Sequence, residues 1–526
     1  MALLWPLPAW LARGLAGQPT ALLTSPGGEG AVHLWTWWAS GRAASPYAFH
    51  TTLLNHPHGV DVQVIDPLHA VVYAVGAALG GPAVGWGLVA WLGLGVAGLG
   101  GLLLARASGA TPAGRWVAAA AGLSGAALVG AVHDGITEGL GVGWVAVQLA
   151  VLLGFRDDPS WRRVALLAAC ITVGVHAGVY NGVWIAALDI PVALWLWRQS
   201  RRPVAAGLAA LALCGPYLWA ALGIGADRPG AGDRHLPHAP DPRVEPWRGA
   251  WMEGADVLDL FVPAPLTGAA DWPTTAYLGV ALLAAAVVGA VRWGRGSRAW
   301  LLGAAAFASL ALGPFLVVAG DSLGPWTPAA LLELTPLGRM TRWYRAGAVA
   351  TLLLAPVAAH AAKRWPAALA LSALILVDGR ALGPAPLDLG HVAVLPAGAL
   401  VGLEGPIAEQ PPQFPVRQRA VTADLNLLLQ VQHGQPTTGT IDAVPGAATT
   451  GPGMRSIQRS LALPPGADGL RLAEQGAALL SRDGYRWLAV YPGRVRGSGE
   501  PSVAATLGPP VAEDARVRVY RLVPPP

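Results

Sequence analysis

The chain has 526 residues, of which 54% are hydrophobic and only 12% are charged, and its mean hydropathy is +0.47. This balance excludes the ordinary soluble globular classes and indicates a protein that crosses a membrane several times. The formal net charge of +5 therefore does not indicate nucleic-acid binding. Cys170 and Cys214 both lie in apolar runs and fit neither a disulfide framework nor a zinc motif.

The N-terminal region has an apolar run, residues 2–23, followed by a long polar and aromatic interval, residues 24–66. Proline and arginine interrupt the run, so we interpret it as a weak first span. A cleavable signal peptide is the alternative, although no basic segment precedes the run. Residues 31–41 are predicted to be helical, which places Glu29 at a helix N-terminus, where a negative charge is favoured by about 0.3–1 kcal/mol.

The first half of this interval carries candidate catalytic residues. Glu29 could act as a general base for an incoming nucleophile, with His33 one helical turn later as its partner or as a metal ligand. A purely capping role for Glu29 is the alternative, and spacing does not separate the two. Trp35, Trp37 and Trp38 are predicted to form an interfacial aromatic belt, with a sugar-binding platform as the alternative.

The second half of the interval holds a cluster of polar side chains. His56, His58, Asp61 and Asp66 are candidate ligands for a divalent metal ion such as Mg or Mn, with a solvated cluster as the alternative. The next segment, residues 67–83, is apolar but rich in glycine, and we predict an interfacial or re-entrant helix there.

About ten apolar windows close to the length that crosses a bilayer follow. They are residues 84–105, 116–132, 139–155, 164–180, 182–197, 204–224, 275–291, 299–319, 346–362 and 365–379. All are predicted to be helices, because a backbone exposed to lipid must satisfy its own hydrogen bonds.

Arginine marks every second turn between these windows. The basic turns contain Arg106 and Arg115; Arg156, Arg162 and Arg163; Arg198, Arg201 and Arg202; Arg292, Arg295 and Arg298; and Lys363 with Arg364. The positive-inside rule predicts that these turns are cytoplasmic. The alternate turns, around residues 133–138, 178–181, 226–275 and 320–344, are then predicted to face outward, as is the interval 24–66.

The composition changes after residue 379. Residues 380–526 are proline-rich and of ordinary polarity, and residues 485–491 and 517–523 alternate as strands do. We therefore expect an all-α polytopic membrane domain, residues 1–379, with about 10–11 transmembrane helices and outer loops 24–83, 226–275 and 320–344. A soluble α+β domain, residues 380–526, is expected to follow on the extracytoplasmic side.

Two outward turns contain charged residues at the end of a span. Asp134 and Glu138 lie in the first, beside His133, and a charge near bilayer depth costs about 2.5–3.5 kcal/mol, so such residues tend to face a cavity. Exposure of the short turn to water is the alternative. A later outward turn repeats the pattern less clearly, with His176, Tyr180, Asn181 and Asp189.

Arg339, Arg342 and Arg345 are spaced by three residues and share one helical face. They lie on the predicted outer side, against the positive-inside trend. A lipid phosphate or pyrophosphate would explain them, because guanidinium groups bind such anions through two hydrogen bonds. Contact with ordinary lipid headgroups is the alternative. The sequence has no P-loop, GxSxG, HExxH or dinucleotide motif, which argues against ATP-driven transport and soluble-type hydrolysis.

Several motifs resemble the GT-C superfamily of polytopic glycosyltransferases, which includes protein O-mannosyltransferases, oligosaccharyltransferase catalytic subunits and aminoarabinose transferases. Poorly characterised bacterial members have a first outer loop that reads Gly-Asp-x3-His-Leu-Trp, followed by a Pro-x-Gly segment. Here the loop reads Gly28-Glu29-Gly-Ala-Val-His33-Leu-Trp35, followed by His56-Pro57-His58-Gly59-Val60-Asp61. Further matches are Glu138 ahead of Trp144 and the segments 256–263, 339–345 and 427–436.

The resemblance implies that a polyprenyl-phosphate sugar donates a glycosyl group, a hexose or pentose, to a glycan, lipid or protein acceptor. Transfer would occur at the outer face of a bacterial inner membrane. Glu29 would be the base, although the family usually has Asp there, and Arg342 and Arg345 would clamp the donor phosphate. The candidate catalytic residues are Glu29, His33 and Glu138, and the candidate substrate-binding residues are Arg339, Arg342, Arg345, Trp35, Asp61 and Asp134. A non-catalytic envelope protein, or a carrier or flippase for lipid-linked glycans, is the alternative.

Overall fold

The computed structural model of the chain describes residues 21–23, 30–226, 254–262, 276–319, 321–333, 343–381, 391–393, 398–410, 422–438, 451–492, 495 and 497–522. Glu29, Arg339 and Arg342 lie outside the described residues, and so do the side chains of His133 and Asp134. The chain divides into two compact units. The larger one is mainly Ile65–His391, and the smaller one is mainly Pro26–Val64 together with Val392–Pro526.

The described helices, in chain order, are α1 (Gly30–Ser40), α2 (Pro67–Gly80), α3 (Pro82–Ala107), α4 (Pro112–Ser124), α5 (Ala126–Asp134), α6 (Thr137–Leu140), α7 (Val142–Leu153), α8 (Trp161–His176), α9 (Val179–Leu196), α10 (Arg202–Ala226), α11 (Val280–Trp293), α12 (Arg298–Ala311), α13 (Pro328–Glu333), α14 (Ala346–Ala359), α15 (Trp365–Ala381), α16 (Thr422–His433), α17 (Pro452–Ala462), α18 (Ala467–Arg482) and α19 (Glu500–Leu507). The described strands are β1 (Ala21–Leu23), β2 (Ala48–Thr51), β3 (Val60–Gln63), β4 (Val317–Val318), β5 (Asp321–Ser322), β6 (His391–Ala393), β7 (Ile407–Gln410), β8 (Trp487–Val490), β9 (Ala512–Glu513) and β10 (Arg518–Arg521).

The larger unit is a bundle of apolar helices. Among the described residues, 5 helical segments are long and apolar enough to cross a membrane: α3, Pro112–Val132, Thr137–Arg156, α9 and Arg202–Ala220. Helix α2 and the segments Trp343–Ala359 and Trp365–Gly379 are apolar but shorter. The predicted class, a polytopic helical membrane protein, is confirmed, whereas the total of about ten or eleven spans stays a prediction.

Local sequence signals explain where several helices begin and end. The predicted helix at 31–41 is α1, and the predicted helix at 67–83 is α2, which begins with Pro67 and stops before Gly81, at φ 86°. Proline suits the first helical turn, and glycine accepts positive φ without strain. The predicted span 116–132 is interrupted at Gly125, whose ψ of 121° is not helical. A side chain at Gly125 would crowd Thr351, so glycine also permits close packing there.

Small residues bring the backbones of α3 and α4 together. A Cβ atom at Gly101 would overlap the carbonyl oxygen of Ala118, and one at Gly122 would overlap the carbonyl oxygen of Ala97. Such close approach replaces the hydrophobic effect as the source of helix association in a membrane. Part of the high glycine content is therefore used in helix packing.

Three of the basic turns meet at one end of the bundle. Thr111 donates a hydrogen bond to the carbonyl oxygen of Ala362 at 3.3 Å, and Arg292 donates one to that of Ala361. Ser108 Oγ lies 3.3 Å from Nε2 of His360. The turns after α3, α11 and α14 therefore lie together, as alternation of basic and non-basic turns requires. Which side of a membrane they occupy stays a prediction.

The smaller unit contains a four-stranded sheet in the order β7-β8-β10-β9. Strands β7 and β8 are parallel, and β10 is antiparallel to both of its neighbours. Helices α17, α18 and α19 contribute Ile457, Leu480 and Val503 to the core on this sheet. Both segments predicted as strands, 485–491 and 517–523, contain one, β8 and β10.

The smaller unit also includes the described part of the polar interval. Helix α1 packs on α16, and β2 pairs with β3 in antiparallel register, with Phe49 opposite Val62. Trp35 Nε1 donates a hydrogen bond to Oε1 of Gln430 at 2.7 Å. Two segments far apart in the sequence therefore share one core.

Candidate functional site

An ion pair lies inside the larger unit, at the end of the bundle formed by the alternate, non-basic turns. Nη2 of Arg345 donates a hydrogen bond to Oε1 of Glu138 at 2.8 Å, and the side chains are 7% and 5% exposed. Glu138 belongs to the short helix α6, and Arg345 ends a 3₁₀ turn that leads into α14. The structure thus brings together one candidate catalytic residue and one candidate substrate-binding residue.

Aromatic and amide side chains hold this pair in place. The guanidinium of Arg345 lies 4.5 Å from the ring centre of Tyr180 and 5.8 Å from that of Tyr344. Such cation–π contacts are worth about 0.5–2 kcal/mol. Asn181 Nδ2 donates a weak hydrogen bond to the carbonyl oxygen of Glu138 at 3.4 Å. Three turns that were predicted to face the same side therefore meet around one guanidinium.

The pair lines a small pocket between helices of the larger unit. Ala131, Val142, Trp184 and Ala348 form much of the remaining wall. A few convergent polar groups in a largely apolar pocket are typical of small-molecule sites. The arrangement places a guanidinium and a carboxylate beside apolar side chains.

A second buried carboxylate adjoins this site. Asp66 is fully buried, and its Oδ2 accepts a hydrogen bond from the hydroxyl of Thr137, the residue before Glu138. The same oxygen lies 3.3 Å from Nδ1 of His69. Tyr217 donates a hydrogen bond to the carbonyl oxygen of Ile65 at 2.6 Å. These contacts join the end of the polar interval to the turn that carries Glu138.

The other predicted site residues have different placements. Glu29, Arg339, Arg342 and the side chain of Asp134 lie outside the described residues, as stated above. His33 is buried in α1, with its ring 6.3 Å from that of Trp37. Their roles stay predictions.

The predicted aromatic belt is wrong. Trp35, Trp37 and Trp38 are 0%, 2% and 8% exposed, so they are core residues of the smaller unit and not surface residues at a membrane interface. The physical reason is that α1 has α16 against it, and a buried indole N–H needs a partner, which Gln430 supplies to Trp35.

The predicted metal cluster is not assembled. Asp61 pairs with His50 at 2.9 Å in an exposed position, and Asp66 is bonded to Thr137. The ring of His56 packs edge-on against Tyr485, at 5.4 Å between centres, and burial together with nearby His58 lowers the pKa of His56. In the part of the chain that the structure describes, no three side chains of His, Cys, Asp or Glu converge on a metal position.

A third buried carboxylate, Asp378, lies in surroundings that differ from those of Glu138 and Asp66. Its Oδ1 accepts from the hydroxyl of Tyr277 at 2.8 Å, and its Oδ2 accepts from the backbone N–H of Ala281 at 2.7 Å. Ala281 lies in the first turn of α11, where unpaired N–H groups favour a negative charge. Asp378 therefore caps α11 from α15, and it is a structural carboxylate.

The sequence did not indicate Thr137 as a site residue, and it indicated Tyr180 only as part of a turn with a less clear pattern. Thr137 lies between Asp134 and Glu138 in a segment that drew attention for its charges, so adjacency to Glu138 was the available signal. Nothing in the spacing of Asp66 and Thr137, 71 residues apart, indicates their contact.

Comparisons with known proteins bear on the fold. No protein-family model and no curated protein sequence matches the chain. Among solved structures, the chain is similar to the arabinofuranosyltransferase AftD from Mycobacteria, at 17% identity and TM-score 0.59 over 100% of this chain. A mutant of AftD matches at 17% identity and TM-score 0.52 over 100% of this chain and 41% of its own. The chain spans only 40% of the AftD chain.

ArnT from Cupriavidus metallidurans in the apo state aligns over 99% of both chains, at 14% identity and TM-score 0.40. An identity of 17% relates the folds alone. The chain shares the fold of the mycobacterial arabinofuranosyltransferase AftD over 100% of its length.

Proposed function

We propose that this protein transfers a sugar from a polyprenyl-phosphate donor to an envelope acceptor at the non-cytoplasmic face of a membrane. The observation that supports this most is the Glu138–Arg345 pair in the wall of a largely apolar pocket. A guanidinium beside apolar side chains suits a phosphate joined to an isoprenoid chain. The likeness in fold to the arabinofuranosyltransferase AftD supports sugar transfer as the reaction class.

In the proposed reaction, an acceptor hydroxyl oxygen bonds to C1 of the sugar while the bond from C1 to the phosphate oxygen breaks. The hydroxyl proton goes to the carboxylate of Glu29, with His33 as its partner. The leaving group is polyprenyl monophosphate, which gains negative charge as the bond breaks. Arg345 would stabilise that charge, and stabilisation of charge that develops in the transition state is usually the largest contribution to catalysis.

A charge balance explains why three arginines would be needed. Glu138 neutralises Arg345 in the described pair, so the pair has no net charge to offer a phosphate. Arg339 and Arg342 would supply the additional positive charge. Glu138 would then fix the direction of the Arg345 guanidinium. Trp35, Asp61 and Asp134 stay predicted substrate contacts, and the extracytoplasmic position of residues 380–526 stays part of the proposal.

The test uses purified full-length protein in proteoliposomes with radiolabelled undecaprenyl-phosphate sugars. A pentofuranosyl donor comes first, because the solved neighbour is named for arabinofuranosyl transfer. We expect label to move to an acceptor with wild type, and Glu29→Gln to abolish transfer while the protein still folds and inserts. Arg345→Gln should lower kcat/KM by about 100-fold or more. EDTA, followed by Mg or Mn, tests for a metal.

A matched control separates loss of charge from loss of the site. Arg471 is 75% exposed on α18 and pairs with Asp468, so Arg471→Gln should transfer sugar as wild type does. If wild type binds undecaprenyl phosphate without moving label, and Glu29→Gln behaves identically, the protein is a carrier or flippase for lipid-linked glycans and not a transferase.

A further inference from the structure

Asp66 has an unusual place for a residue at the start of a helix. It occupies the N-cap position of α2, where a carboxylate normally accepts a hydrogen bond from the first turn, yet its side chain makes no capping hydrogen bond. It bonds instead to the hydroxyl of Thr137, on a different element. The carboxylate therefore links α2 to α6.

The element that receives this bond is poorly able to fix its own direction. Helix α6 has 4 residues, Thr137–Leu140, and so short a helix gains little from its own backbone hydrogen bonds. Its first residue is held by Asp66, and the carbonyl oxygen of its second residue, Glu138, accepts from Asn181. Contacts with other helices thus set the direction in which the Glu138 side chain points.

Asp66 is itself anchored. The backbone carbonyl just before it, that of Ile65, accepts a hydrogen bond from Tyr217 on α10 at 2.6 Å. His69 lies one turn along α2, with Nδ1 3.3 Å from the Asp66 carboxylate. A carboxylate removed from water is costly unless it is paired, so a neutral residue would be cheaper if packing alone were required.

We infer that Asp66 is a positioning residue, which holds Glu138 and Arg345 in their paired arrangement through the hydroxyl of Thr137. The contacts run from Asp66 to Thr137, along one peptide bond to Glu138, and from its carboxylate to the guanidinium of Arg345. A charged acceptor makes a stronger bond than a neutral one, which suits this task. The catalytic consequence rests on the proposed function, whereas the structural consequence does not.

The kinetic test compares Thr137→Val, which removes the hydroxyl at similar volume, with Thr137→Ser, which keeps it. In the undecaprenyl-phosphate sugar assay, Thr137→Val should lower kcat by about 10- to 100-fold with little change in the KM of the donor. Thr137→Ser should keep most of the wild-type kcat. Thr137→Val should add no further loss to Glu138→Gln. Additive losses, or full activity of Thr137→Val, would overturn the inference.

Two matched controls address general damage. Thr172→Val removes a hydroxyl that bonds to the carbonyl oxygen of Ala168 at 2.8 Å, without contact to Glu138. Asp378→Asn changes a buried carboxylate that caps α11. Both should leave kcat of the folded protein near that of wild type. If Thr137→Val does not fold, Asp66→Asn takes its place, because it keeps the volume and an acceptor oxygen but loses the charge.

A structural experiment tests the inference without a measurement of activity. A cryo-EM structure of Thr137→Val with a bound antibody fragment should show that the contact between Glu138 Oε1 and Arg345 Nη2, 2.8 Å in the native chain, has opened. An unchanged contact would contradict the positioning role. If wild type moves no sugar, the proposed function fails, and this experiment still decides the inference.

Discussion

Arg345 and Glu138 are 207 residues apart in the chain, and Nη2 of the first lies 2.8 Å from Oε1 of the second inside the larger unit. Burying two charges costs several kcal/mol each, and mutual attraction repays this only when both partners are present. The stability of the protein should therefore fall strongly when one of the two side chains is removed, and much less when both are replaced.

We expect Glu138→Ala and Arg345→Ala each to destabilise the protein by about 3–5 kcal/mol, because each leaves an uncompensated buried charge. The double variant Glu138→Leu/Arg345→Met should lose much less than the sum of the two single variants. Thermal unfolding in detergent measures this. Equal and additive losses would indicate that the two side chains are not coupled.

Tyr180 is expected to affect the donor through Arg345. Its ring lies 4.5 Å from the guanidinium, so Tyr180→Leu removes the cation–π contact and should weaken binding of undecaprenyl phosphate by about 10-fold. Tyr180→Phe keeps the ring and should lose clearly less. Binding of labelled undecaprenyl phosphate to the purified protein is the measurement, and equal losses in the two variants would contradict the ring contact.

Gln430 should be among the most sensitive positions of the smaller unit. It accepts from Trp35, and its Nε2 donates to the carbonyl oxygens of Leu53 at 2.5 Å and Gln435 at 2.9 Å. Gln430→Ala removes the partner of the Trp35 indole N–H and of the Gln435 carbonyl, whereas the Leu53 carbonyl still accepts from the N–H of Thr437. The variant should cost about 2–6 kcal/mol, at about 1–3 kcal/mol for each of the two unsatisfied groups.

Its control is Gln475→Ala, an exposed position on α18 of the same unit, which should change stability by less than about 0.5 kcal/mol. Urea unfolding followed by tryptophan fluorescence compares the two. Similar midpoints for both variants would argue that Gln430 does not hold α1 against α16.

His433 should make stability depend on pH. Burial lowers its pKa from 6.5 to about 4, so the folded protein keeps the neutral ring where the unfolded chain binds a proton. Stability is therefore full above pH 6.5 and falls as the pH drops from 6.5 towards 4, by about 3 kcal/mol in total. Unfolding by urea at pH 7.5 and pH 4.5 measures the difference.

His433→Asn is the matched variant, because Nδ1 of His433 accepts from the backbone N–H of Gln435 at 3.1 Å and an amide oxygen can replace it. On acidification from pH 7.5 to pH 4.5, the variant should lose less stability than wild type. The difference should equal the contribution of His433 to the pH dependence. An equal pH response in this variant and in wild type would contradict the contribution of His433.

Local patterns in the sequence predicted much of the fold. Apolar windows predicted the helices from α3 to α12, and α14 and α15, because hydrophobicity over a bilayer length depends on composition alone. The short helix α13 lies outside these windows. Alternation predicted β8 and β10, and the arginines marked the turns that meet at one end. The interruption at Gly125 was not predicted, since glycine is common throughout these helices and only contact with Thr351 distinguishes this one.

The sequence by itself determined the class of the protein, a helical membrane protein whose motifs resemble the GT-C superfamily, and drew attention to Glu138 and Arg345 separately. Only the tertiary structure decided that these two form a pair, that Asp66 leaves the supposed metal cluster for Thr137, and that Trp35 is bonded to Gln430 in a core. The physical reason is the distance along the chain over which each effect acts. Hydrophobicity and helix signals act over a few residues, whereas a buried charge or indole N–H is satisfied by whichever distant residue the packing of helices brings to it.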